Sequence, residues 1–430
     1  MRKSKPIVCV VGLGYVGLPL AIAFGKKFLT YGYDISDYRI DNLEKKIDIT
    51  GTFKDSDFNK AKYLNFEKNP TCISKSNFVI VCLPTPVNRF NKPDLSILLN
   101  GTKLVGHHLN KNTIIIFEST VYPTTTESIC VPLLEKYSRL SYKKDFYVGY
   151  SPERINPGDK KHVLENIIKV VSGDTKNTLK KIKTLYQNII TAGVFSAVDI
   201  KTAETAKIIE NTQRDLNISL MNELSIICHK LNIRTKDVLS AAKTKWNFLN
   251  FKPGLVGGHC IGVDPYYLSY LSKKIGHRPL VINAGRKVND SMSKYIINKI
   301  LFYLNKKKIK LKKSNFIFLG IAFKKNCGDI RNSKILEVIN FFKSKVASIE
   351  IVDPRIEKND IYQHKLKVKN WNNLKYKCNI LIISSYHDEF KNIKPNTMKK
   401  NILTNGIVFD IMSELDDNYI KKMGREVWQL

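Results

Sequence analysis

The sequence predicts an α/β fold with two doubly wound parallel-sheet domains, joined by a helical central domain that contains one long helix. Three observations support this prediction. Short apolar strands alternate with helical segments near both ends of the chain, a glycine-rich turn follows the first strand, and a long helical pattern occupies the middle. Alternating strands and helices are typical of parallel sheets that are covered on both faces.

Composition favours a solvated basic surface over a nucleic-acid-binding site. The chain has 430 residues, of which 43% are hydrophobic, and this length allows two or three domains with real cores. The 71 Lys and Arg exceed the 38 Asp and Glu, which gives a net charge of +33. Because the lysines are spread along the chain without a clustered basic stripe, we expect a solvated basic surface and no nucleic-acid partner. The positive field still attracts anionic nucleotides.

The cysteines and the first residues bear on location and on metals. Eight cysteines are widely spaced without a CxxC pair, as in the reduced, mostly buried thiols of a cytosolic protein. The start of the chain imitates a signal peptide, but its three glycines and its proline argue against a membrane helix, and no cleavage site follows. We therefore expect a cytoplasmic protein without a membrane partner, and no metal site.

The first domain, predicted at residues 1–200, begins with the strand IVCVVG and a GxGxxG turn. Gly12, Gly14 and Gly17 permit a tight turn and bring a pyrophosphate close to the N-terminus of the next helix, which favours anions. Asp34 follows Gly12 by 22 positions, where a ribose-binding carboxylate is expected, and this favours NAD over NADP. Arg39 either contacts the adenosine end of the cofactor or is a surface arginine.

Polar side chains follow three later strands of this domain. Thr85 and Thr120 end the runs FVIVCLPT and IIIFEST, and Glu153 and Arg154 end FYVGYSPER before the turn at residues 156–158. The carboxyl ends of parallel strands meet at one edge, where ligands bind. The alternatives are hydroxyls that cap the strand ends and an ion pair at the surface.

The central domain, predicted at residues 201–305, starts with a helical pattern that runs to about residue 231. Lys207 and Asn211 are four residues apart and share one face, with Arg214 close to the same stripe. A polar edge that faces water is the simpler interpretation. However, the helix looks apolar nearly all round, so we expect Lys207 to be partly buried beside an anionic partner.

The segment GGHCIGVD, residues 257–264, places Cys260 behind two glycines and four residues before Asp264. A thiol in a tight, accessible loop indicates covalent chemistry, although a buried structural cysteine is the alternative. Asp264 precedes a proline, so it is predicted to cap the next helix and could still act in catalysis. His259 is adjacent, but neighbouring side chains diverge and no further ligands complete a metal site.

The third domain, predicted at residues 314–430, repeats the order strand, loop, helix, strand without a glycine fingerprint. Lys324 and Arg331 lie in its first loop, KKNCGDIRNS. Two cations in such a loop suit a phosphate-rich ligand, whereas two solvated side chains are the alternative.

Together, these motifs resemble the nucleotide-sugar 6-dehydrogenases of the UDP-glucose/GDP-mannose dehydrogenase family over nearly the whole chain. The resemblance rests on ESTVYPTTTE, GYSPERINPGD, AETAKIIENTQRDLNIS, GGHCIGVDPYYL and FKKNCGDIRNS. UDP-glucose enzymes typically carry Ser before the cysteine and Phe-Pro-Lys-Asp after it, whereas this chain has His259 before and Ile261–Pro265 after. These differences, with SPERINPGDKKH, resemble the branch that oxidises UDP-N-acetylhexosamines for capsule or O-antigen synthesis.

The resemblance implies a four-electron oxidation of the sugar C6 hydroxyl to a uronic acid, with NAD as cofactor, and a homodimer around the long helix. It implies catalytic roles for Cys260, Lys207, Asp264, Asn211, Glu153 and Thr120. It implies cofactor binding by Gly12, Gly14, Tyr15, Val16, Gly17, Asp34, Arg39, Thr85, Thr120 and Arg331. It implies substrate binding by Glu153, Arg154, Lys207, Asn211, Arg214, Phe248, Leu249, Gly257 and Lys324.

Three alternatives stay open. Within the family, the substrate could be UDP-glucose or GDP-mannose, and the choice between gluco and galacto sugars depends on pocket geometry. A two-electron sugar-alcohol or β-hydroxyacid dehydrogenase shares the first domain but needs neither Cys260 nor the third domain. A basic nucleic-acid-binding protein is the remaining alternative.

Overall fold

A computed structural model of the chain describes residues 5–88, 90–155, 163–356, 361 and 366–430. The predicted turn at residues 156–158, and with it most of SPERINPGDKKH, lies outside these residues. The chain forms two compact units, one from Met1–Glu210 and Tyr266–His277, the other from Asn211–Pro265 and Arg278–Leu430. The domain boundaries inferred from the sequence stay predictions, because this division into two units does not test them.

The first unit is built on a doubly wound sheet, in the order β3-β2-β1-β4-β5-β6-β7-β8 within the described residues. Its strands are β1 (Val8–Val11), β2 (Thr30–Tyr33), β3 (Leu64–Glu67), β4 (Phe78–Val81), β5 (Ile114–Phe117), β6 (Tyr147–Tyr150), β7 (Lys169–Gly173) and β8 (Val194–Ser196). Neighbouring strands pair in parallel except β6 and β7, which are antiparallel. The strand order reverses beside β1, and ligands of such sheets bind at this switch point.

Apolar side chains cover both faces of this sheet. Val8 and Val10 belong to one hydrophobic core, whereas Cys9 and Val11 belong to another on the opposite face, because side chains alternate along a strand. The helices of this unit are α1 (Gly17–Gly25), α2 (Asp37–Glu44), α3 (Asp55–Lys60), α4 (Ser96–His107), α5 (Val131–Ser138) and α6 (Lys176–Gln187). A π-helical turn, Thr126–Cys130, leads into α5.

The predicted long helix is confirmed as α7, which spans Ile200–Lys230. It is followed by α8 (Thr235–Ala242), α9 (Asp264–Lys274) and α10 (Leu280–Lys306). With 27 residues, α10 is a second long helix beyond the one that the sequence predicted. In the part of the chain that the structure describes, none of the helices is long and apolar enough to cross a membrane.

The second unit contains a parallel sheet in the order β10-β9-β11-β12-β13. Its strands are β9 (Asn315–Leu319), β10 (Ser348–Val352), β11 (Cys378–Ile383), β12 (Ile402–Asp410) and β13 (Glu426–Gln429). Three helices accompany them among the described residues: α11 (Ile335–Phe342), α12 (Pro395–Lys400) and α13 (Asp417–Met423). The predicted fold class, with parallel sheets on either side of a helical region in the sequence, is therefore confirmed.

The expectation that α7 is apolar nearly all round is wrong. The helix buries a set of polar side chains at helical spacing: Glu204, Lys207, Asn211, Thr212, Asp215, Ser219, Asn222 and Ser225. Apolar residues instead stand exposed, among them Ile209, Leu220 and Ile227. Burial of polar groups costs free energy unless they find hydrogen-bond partners.

In the second unit, several of these side chains take part in a buried hydrogen-bond network. Asp215 accepts hydrogen bonds from Nη1 of Arg286 at 2.6 Å and from Nδ2 of Asn289 at 2.7 Å. Asn222 donates to Oδ1 of Asn289 at 2.8 Å and to the carbonyl of Gly254 at 3.0 Å, and it accepts the Gly254 N–H at 2.8 Å. The network thereby ties α7 to α10 and fixes the chain shortly before Cys260.

We expect the substitution Arg286→Leu to destabilise the second unit, because Asp215 then keeps a buried carboxylate without its cationic partner. Removing one partner of a buried ion pair typically costs about 3–5 kcal/mol. Urea titration followed by circular dichroism measures the loss. Arg278→Leu, at an exposed arginine just before α10, is the matched control. Equal urea midpoints for the two variants would show that the pair does not stabilise the fold.

Candidate active site

The glycine-rich turn has the geometry that a dinucleotide pyrophosphate requires. Gly12 has a φ of +91°, and a Cβ there would lie 2.7 Å from the carbonyl oxygen of Cys82. A Cβ at Gly17 would collide with the carbonyl oxygen of Gly12, whereas one at Gly14 would point into open space. Helix α1 begins at Gly17, and Val16 at its N-cap has an apolar side chain that cannot cap the first N–H groups. The turn therefore leaves room and donors for an anion.

Asp34 is fixed beside this turn at the end of β2. Its Oδ2 accepts the N–H of Leu13 at 2.8 Å, and its Oδ1 accepts the N–H of Ser36 at 2.9 Å. These bonds hold a half-buried carboxylate next to the glycines, as a ribose site requires. Tyr15 and Val16 are half-buried in the same turn. The residues thus fit NAD, although their contacts with it stay predictions.

Arg39 is not the surface arginine that the sequence left as an alternative. Its side chain is buried, with Nε donating to the carbonyl of Leu13 at 3.0 Å and Nη2 to Asp48 at 3.0 Å. Asp48 in turn accepts hydrogen bonds from the loop before α3. Arg39 therefore stabilises the glycine-rich turn through its hydrogen bond to Leu13. A contact between Arg39 and the adenosine end of the cofactor stays a prediction.

The two threonines after β4 and β5 are joined by a hydrogen bond. The hydroxyl of Thr85 donates to the carbonyl of Thr120 at 2.6 Å, and Tyr267 donates its hydroxyl proton to the carbonyl of Thr85 at 2.7 Å. The Thr85 hydroxyl thus satisfies a backbone carbonyl, and its oxygen can still accept hydrogen bonds. Both threonines are half-buried at the carboxyl edge of the sheet.

Glu204 on α7 holds the segment that follows Thr120. Its carboxylate accepts the N–H of Thr124 at 2.6 Å and that of Thr126 at 2.9 Å, and the side chain is fully buried. Burial raises the pKa of Glu204 to about 7, although the hydrogen bonds from Thr126 and Thr124 oppose this shift. The bonds support Thr124 in a left-handed conformation with a φ of 81°.

A buried ionic cluster lies where β5 and β6 end. Nζ of Lys169 contacts Oε2 of Glu118 at 2.6 Å and Oε2 of Glu153 at 2.9 Å, and Tyr186 donates its hydroxyl proton to Glu118. Glu153 also accepts the N–H of Arg154 at 2.6 Å on Oε1. The predicted alternative of a surface ion pair is therefore wrong for Glu153, which is buried. The guanidinium of Arg154 instead pairs with Glu210.

The cluster holds two buried carboxylates and one buried ammonium, so the binding of an additional proton is favoured there. Burial, with repulsion from Glu153, raises the pKa of Glu118 to about 7 against the opposing attraction of Lys169. The same two carboxylates outweigh burial at Lys169 and raise its pKa. Glu118, Lys169 and Tyr186 were not predicted as site residues, since a Lys in the strand KVVSG gives no signal of its partners.

Three of the predicted catalytic residues are buried around the start of α9 and on α7. Asn211 donates its amide proton to Oδ2 of Asp264 at 2.6 Å. Asp264 is the first residue of α9 rather than its cap, and its N–H bonds the carbonyl of Cys260 at 2.8 Å. Lys207 lies one turn before Asn211 on the same helix and is 7% exposed, as predicted for a partly buried lysine.

Cys260 differs from most cysteines of the chain in its exposure. Cys260 is exposed and Cys327 is half-buried, whereas the remaining cysteines are buried, which confirms the prediction that most lie in the core. Gly258 has a φ of +81°, and a Cβ there would meet the ring of Phe323 at 2.6 Å. A Cβ at Gly257 would lie 2.5 Å from the carbonyl oxygen of Asn332. The glycine pair is thus required because the cysteine loop packs directly on the first loop of the second sheet.

The remaining predicted residues are less constrained. Lys324 is half-buried, with Nζ 5.6 Å from the centre of the Phe323 ring. Arg214 and Leu249 are exposed, and Phe248 is half-buried. Among the residues that the structure describes, no group of three or more His, Cys, Asp or Glu could hold a metal ion.

We expect Glu118→Gln to change how stability depends on pH. Because the folded pKa of Glu118 is about 7 against an ordinary 4.5, the native state binds the extra proton between these values. The wild type should therefore lose stability as the pH rises from about 4.5 to about 7, by on the order of 1–3 kcal/mol relative to the glutamine variant. Urea unfolding at pH 5, 6, 7 and 8 measures the difference.

Glu165→Gln, at a partly exposed carboxylate that pairs with Lys26, provides the control and should show no such trend. Glu204 also titrates near 7, but it is present in both proteins and cancels in the comparison. A difference between wild type and Glu118→Gln that is constant across these pH values would contradict the assignment.

Three domain models of one protein family match the chain in order. The NAD binding domain of the UDP-glucose/GDP-mannose dehydrogenase family matches residues 7–190. The central domain of that family matches residues 201–291. Its UDP binding domain matches residues 317–417.

Individual proteins are similar over most of their length. A UDP-N-acetyl-D-glucosamine 6-dehydrogenase of Salmonella typhi is 48% identical over 354 residues, 82% of this chain and 83% of that protein. One of Pseudomonas aeruginosa is 43% identical over 412 residues, 96% of this chain and 97% of that protein. A solved structure of a UDP-D-ManNAc dehydrogenase from Pyrococcus horikoshii aligns with a TM-score of 0.88 at 26% identity, covering 98% of both chains.

Proposed function

The chain belongs to the UDP-glucose/GDP-mannose dehydrogenase family, and from this premise we propose that it oxidises the C6 hydroxyl of a UDP-N-acetylhexosamine to a carboxylate. UDP-N-acetylglucosamine is the first candidate, since two relatives above 40% identity are named for it. The product would supply a surface polysaccharide. The observation that carries the proposal is the exposed Cys260 in a loop held by close backbone packing.

The proposed reaction has two oxidations and one hydrolysis. The glycine-rich turn and Asp34 would hold NAD, which would supply the hydride acceptor for both oxidations, so two NAD would be consumed for each sugar. The first oxidation converts the C6 alcohol to an aldehyde, and Asp264 takes the proton of the hydroxyl group. Cys260 then adds its sulfur to the aldehyde carbon, and loss of the second hydride leaves a thioester. Water cleaves the thioester, which releases the carboxylate and returns the thiol.

The described contacts support different roles for Glu153 and Asp264, the two carboxylates considered for proton transfer. Glu153 accepts two backbone N–H groups on Oε1 and the Lys169 ammonium on Oε2. A carboxylate with this many donors is suited to orienting a loop and its substrate rather than to taking a proton. We therefore assign proton transfer to Asp264, which Asn211 orients. Lys207 and Asn211 supply positive charge and an N–H donor for the thiohemiacetal oxygen.

Counting NADH tests this proposal. With NAD present, the purified protein should turn over UDP-N-acetylglucosamine or UDP-N-acetylgalactosamine faster than UDP-glucose or GDP-mannose, with two NADH formed for each sugar and a uronic acid as product. Spectrophotometry at 340 nm counts the NADH, and mass spectrometry identifies the product. One NADH for each sugar, without acid, would instead support the two-electron alcohol dehydrogenase.

Cys260→Ala separates the covalent scheme from other routes to the acid. We expect this variant to form no uronic acid, because its aldehyde has no sulfur to bind. Cys327→Ala, at the other cysteine that is not fully buried, is the matched control and should keep the yield of two NADH. Full acid formation by the Cys260 variant would exclude the thioester.

We also propose that the protein is a homodimer. Ile209, Leu220 and Ile227 are exposed apolar side chains on α7. Their spacings of 11 and 7 residues place them within about 20° of one line along the helix, so they form an apolar stripe. A stripe of this kind on a long helix suits packing against a second copy of the same helix.

Light scattering should therefore give twice the mass of one chain, and Leu220→Glu should shift the protein towards the monomer. Tyr376→Glu, at a similarly exposed apolar residue away from α7, should leave the mass unchanged. A wild-type protein that has the mass of one chain at micromolar concentration would contradict the dimer.

A further inference from the structure

We propose that His259 is a positioning residue for the second oxidation, because it anchors the loop of Cys260 to the first loop of the second sheet through Asp329. This inference rests on the proposed function, in which Cys260 holds the aldehyde. It adds a role for the side chain directly before the nucleophile, and for a buried carboxylate that the sequence did not single out.

The backbone of the cysteine loop already lies against the loop that carries Asp329. The N–H of Gly258 donates to the carbonyl of Asn332 at 3.4 Å, and Nδ2 of Asn332 lies 3.5 Å from the carbonyl of Gly258. Both contacts are long, and the contact from His259 is no shorter at 3.4 Å, so the loop is held by several weak contacts together. The close approach at Gly257 and Gly258 leaves no space for side chains there, which places the next side chain, His259, as the first that can hold the loop.

His259 makes this contact with a carboxylate that is itself rigid. Its Nε2 is 3.4 Å from Oδ2 of Asp329. Arg331 binds the same carboxylate with two atoms, Nε to Oδ1 at 3.0 Å and Nη2 to Oδ2 at 2.7 Å, and its N–H also donates to Oδ1 at 2.9 Å. Asp329 is 9% exposed, whereas the His259 side chain is 40% exposed. A partly exposed side chain therefore contacts a buried carboxylate that Arg331 holds.

The charge state of Asp329 favours this anchor. Burial alone raises the pKa of a carboxyl, but the hydrogen bonds from His259 and Arg331 outweigh it and hold the pKa of Asp329 well below its usual range. Asp329 is therefore an acceptor over the whole pH range in which an enzyme works. A hydrogen bond to a charged acceptor is worth more than one between neutral groups.

The anchor matters for only one of the two oxidations. Side chains of adjacent residues diverge, so His259 does not serve as the base of Cys260, and its effect is on loop position. On the other side, the Cys260 carbonyl accepts the N–H of Val263 at 3.0 Å and that of Asp264 at 2.8 Å, which ties the cysteine to the start of α9. On the N-terminal side of Cys260, the contact from His259 holds the loop. The first oxidation needs no thiol, whereas the second requires the sulfur within bonding reach of the aldehyde carbon.

Two substitutions at position 259 and one control distinguish anchoring from general stability. His259→Leu keeps the volume but removes the donor, whereas His259→Gln places an amide N–H near the position of Nε2. His277→Leu changes an exposed histidine after α9 and is the matched control. Each full-length variant is compared with the wild type in a rapid-mixing assay that resolves the first and second NADH, and in hydrogen–deuterium exchange of the peptide that spans residues 254–263.

For His259→Leu we expect the second oxidation to slow by about tenfold while the first stays within about twofold of wild type. Exchange of the 254–263 peptide should be at least about threefold faster, without change in α7. His259→Gln and His277→Leu should behave as wild type in both measurements. The proposal is overturned if His259→Leu keeps the wild-type exchange, or if His259→Gln is as defective as His259→Leu.

The exchange measurement needs no substrate, so it separates this inference from the proposed function. If the wild type forms no acid from any UDP-sugar, the covalent scheme fails, while faster exchange in His259→Leu still confirms the anchor. If acid forms normally but both oxidations slow equally in His259→Leu, the covalent scheme stands and selective positioning by His259 is excluded.

Discussion

The constraint on which most of the structure depends is the burial of polar side chains along α7. A helix in the middle of a protein ordinarily buries an apolar face, whereas α7 buries polar side chains, which are costly to bury without hydrogen-bond partners. Glu204 is paired with the loop after Thr120, Asn211 with Asp264, Asp215 with Arg286 and Asn222 with Gly254. The helix consequently fixes the positions of loops rather than merely filling a core, and the proposed reactive groups lie in or beside those loops.

The two sheets use the same turn after their first strand but present different chemistry there. Gly12 and Gly320 both have positive φ, and the next residue in each case donates its N–H to an aspartate that follows the second strand, Asp34 or Asp353. Asp34 is half-buried and can meet a ribose. Asp353 is buried and lies 3.2 Å from Nε2 of His387, which is fully buried. The second sheet therefore lacks an accessible ribose acceptor at this position.

Periodicity and spacing were sufficient to predict the parallel sheets, the long helix and the glycine-rich turn, because these depend on local patterns. They were insufficient for Lys169, since its partners follow β5 and β6 and become neighbours only through the antiparallel pairing of β7 with β6. The prediction that α7 is apolar nearly all round was also wrong. The hydrophobicity pattern of a single sequence does not show which polar side chains find hydrogen-bond partners. Both failures concern contacts between residues far apart in the sequence.

The exposure of Cys260 also depends on contacts between residues that are far apart in the sequence. Burial raises the pKa of Cys82 well above its usual value and that of Cys130 to about 12, so these thiols stay protonated and inert. Cys260 is exposed instead, in the loop that Gly257 and Gly258 allow to pack closely on residues of the second unit. In the proposed four-electron oxidation, the half-oxidised sugar must wait while the two-electron acceptor is exchanged. In that scheme, a covalent bond to Cys260 keeps the aldehyde from leaving during the interval.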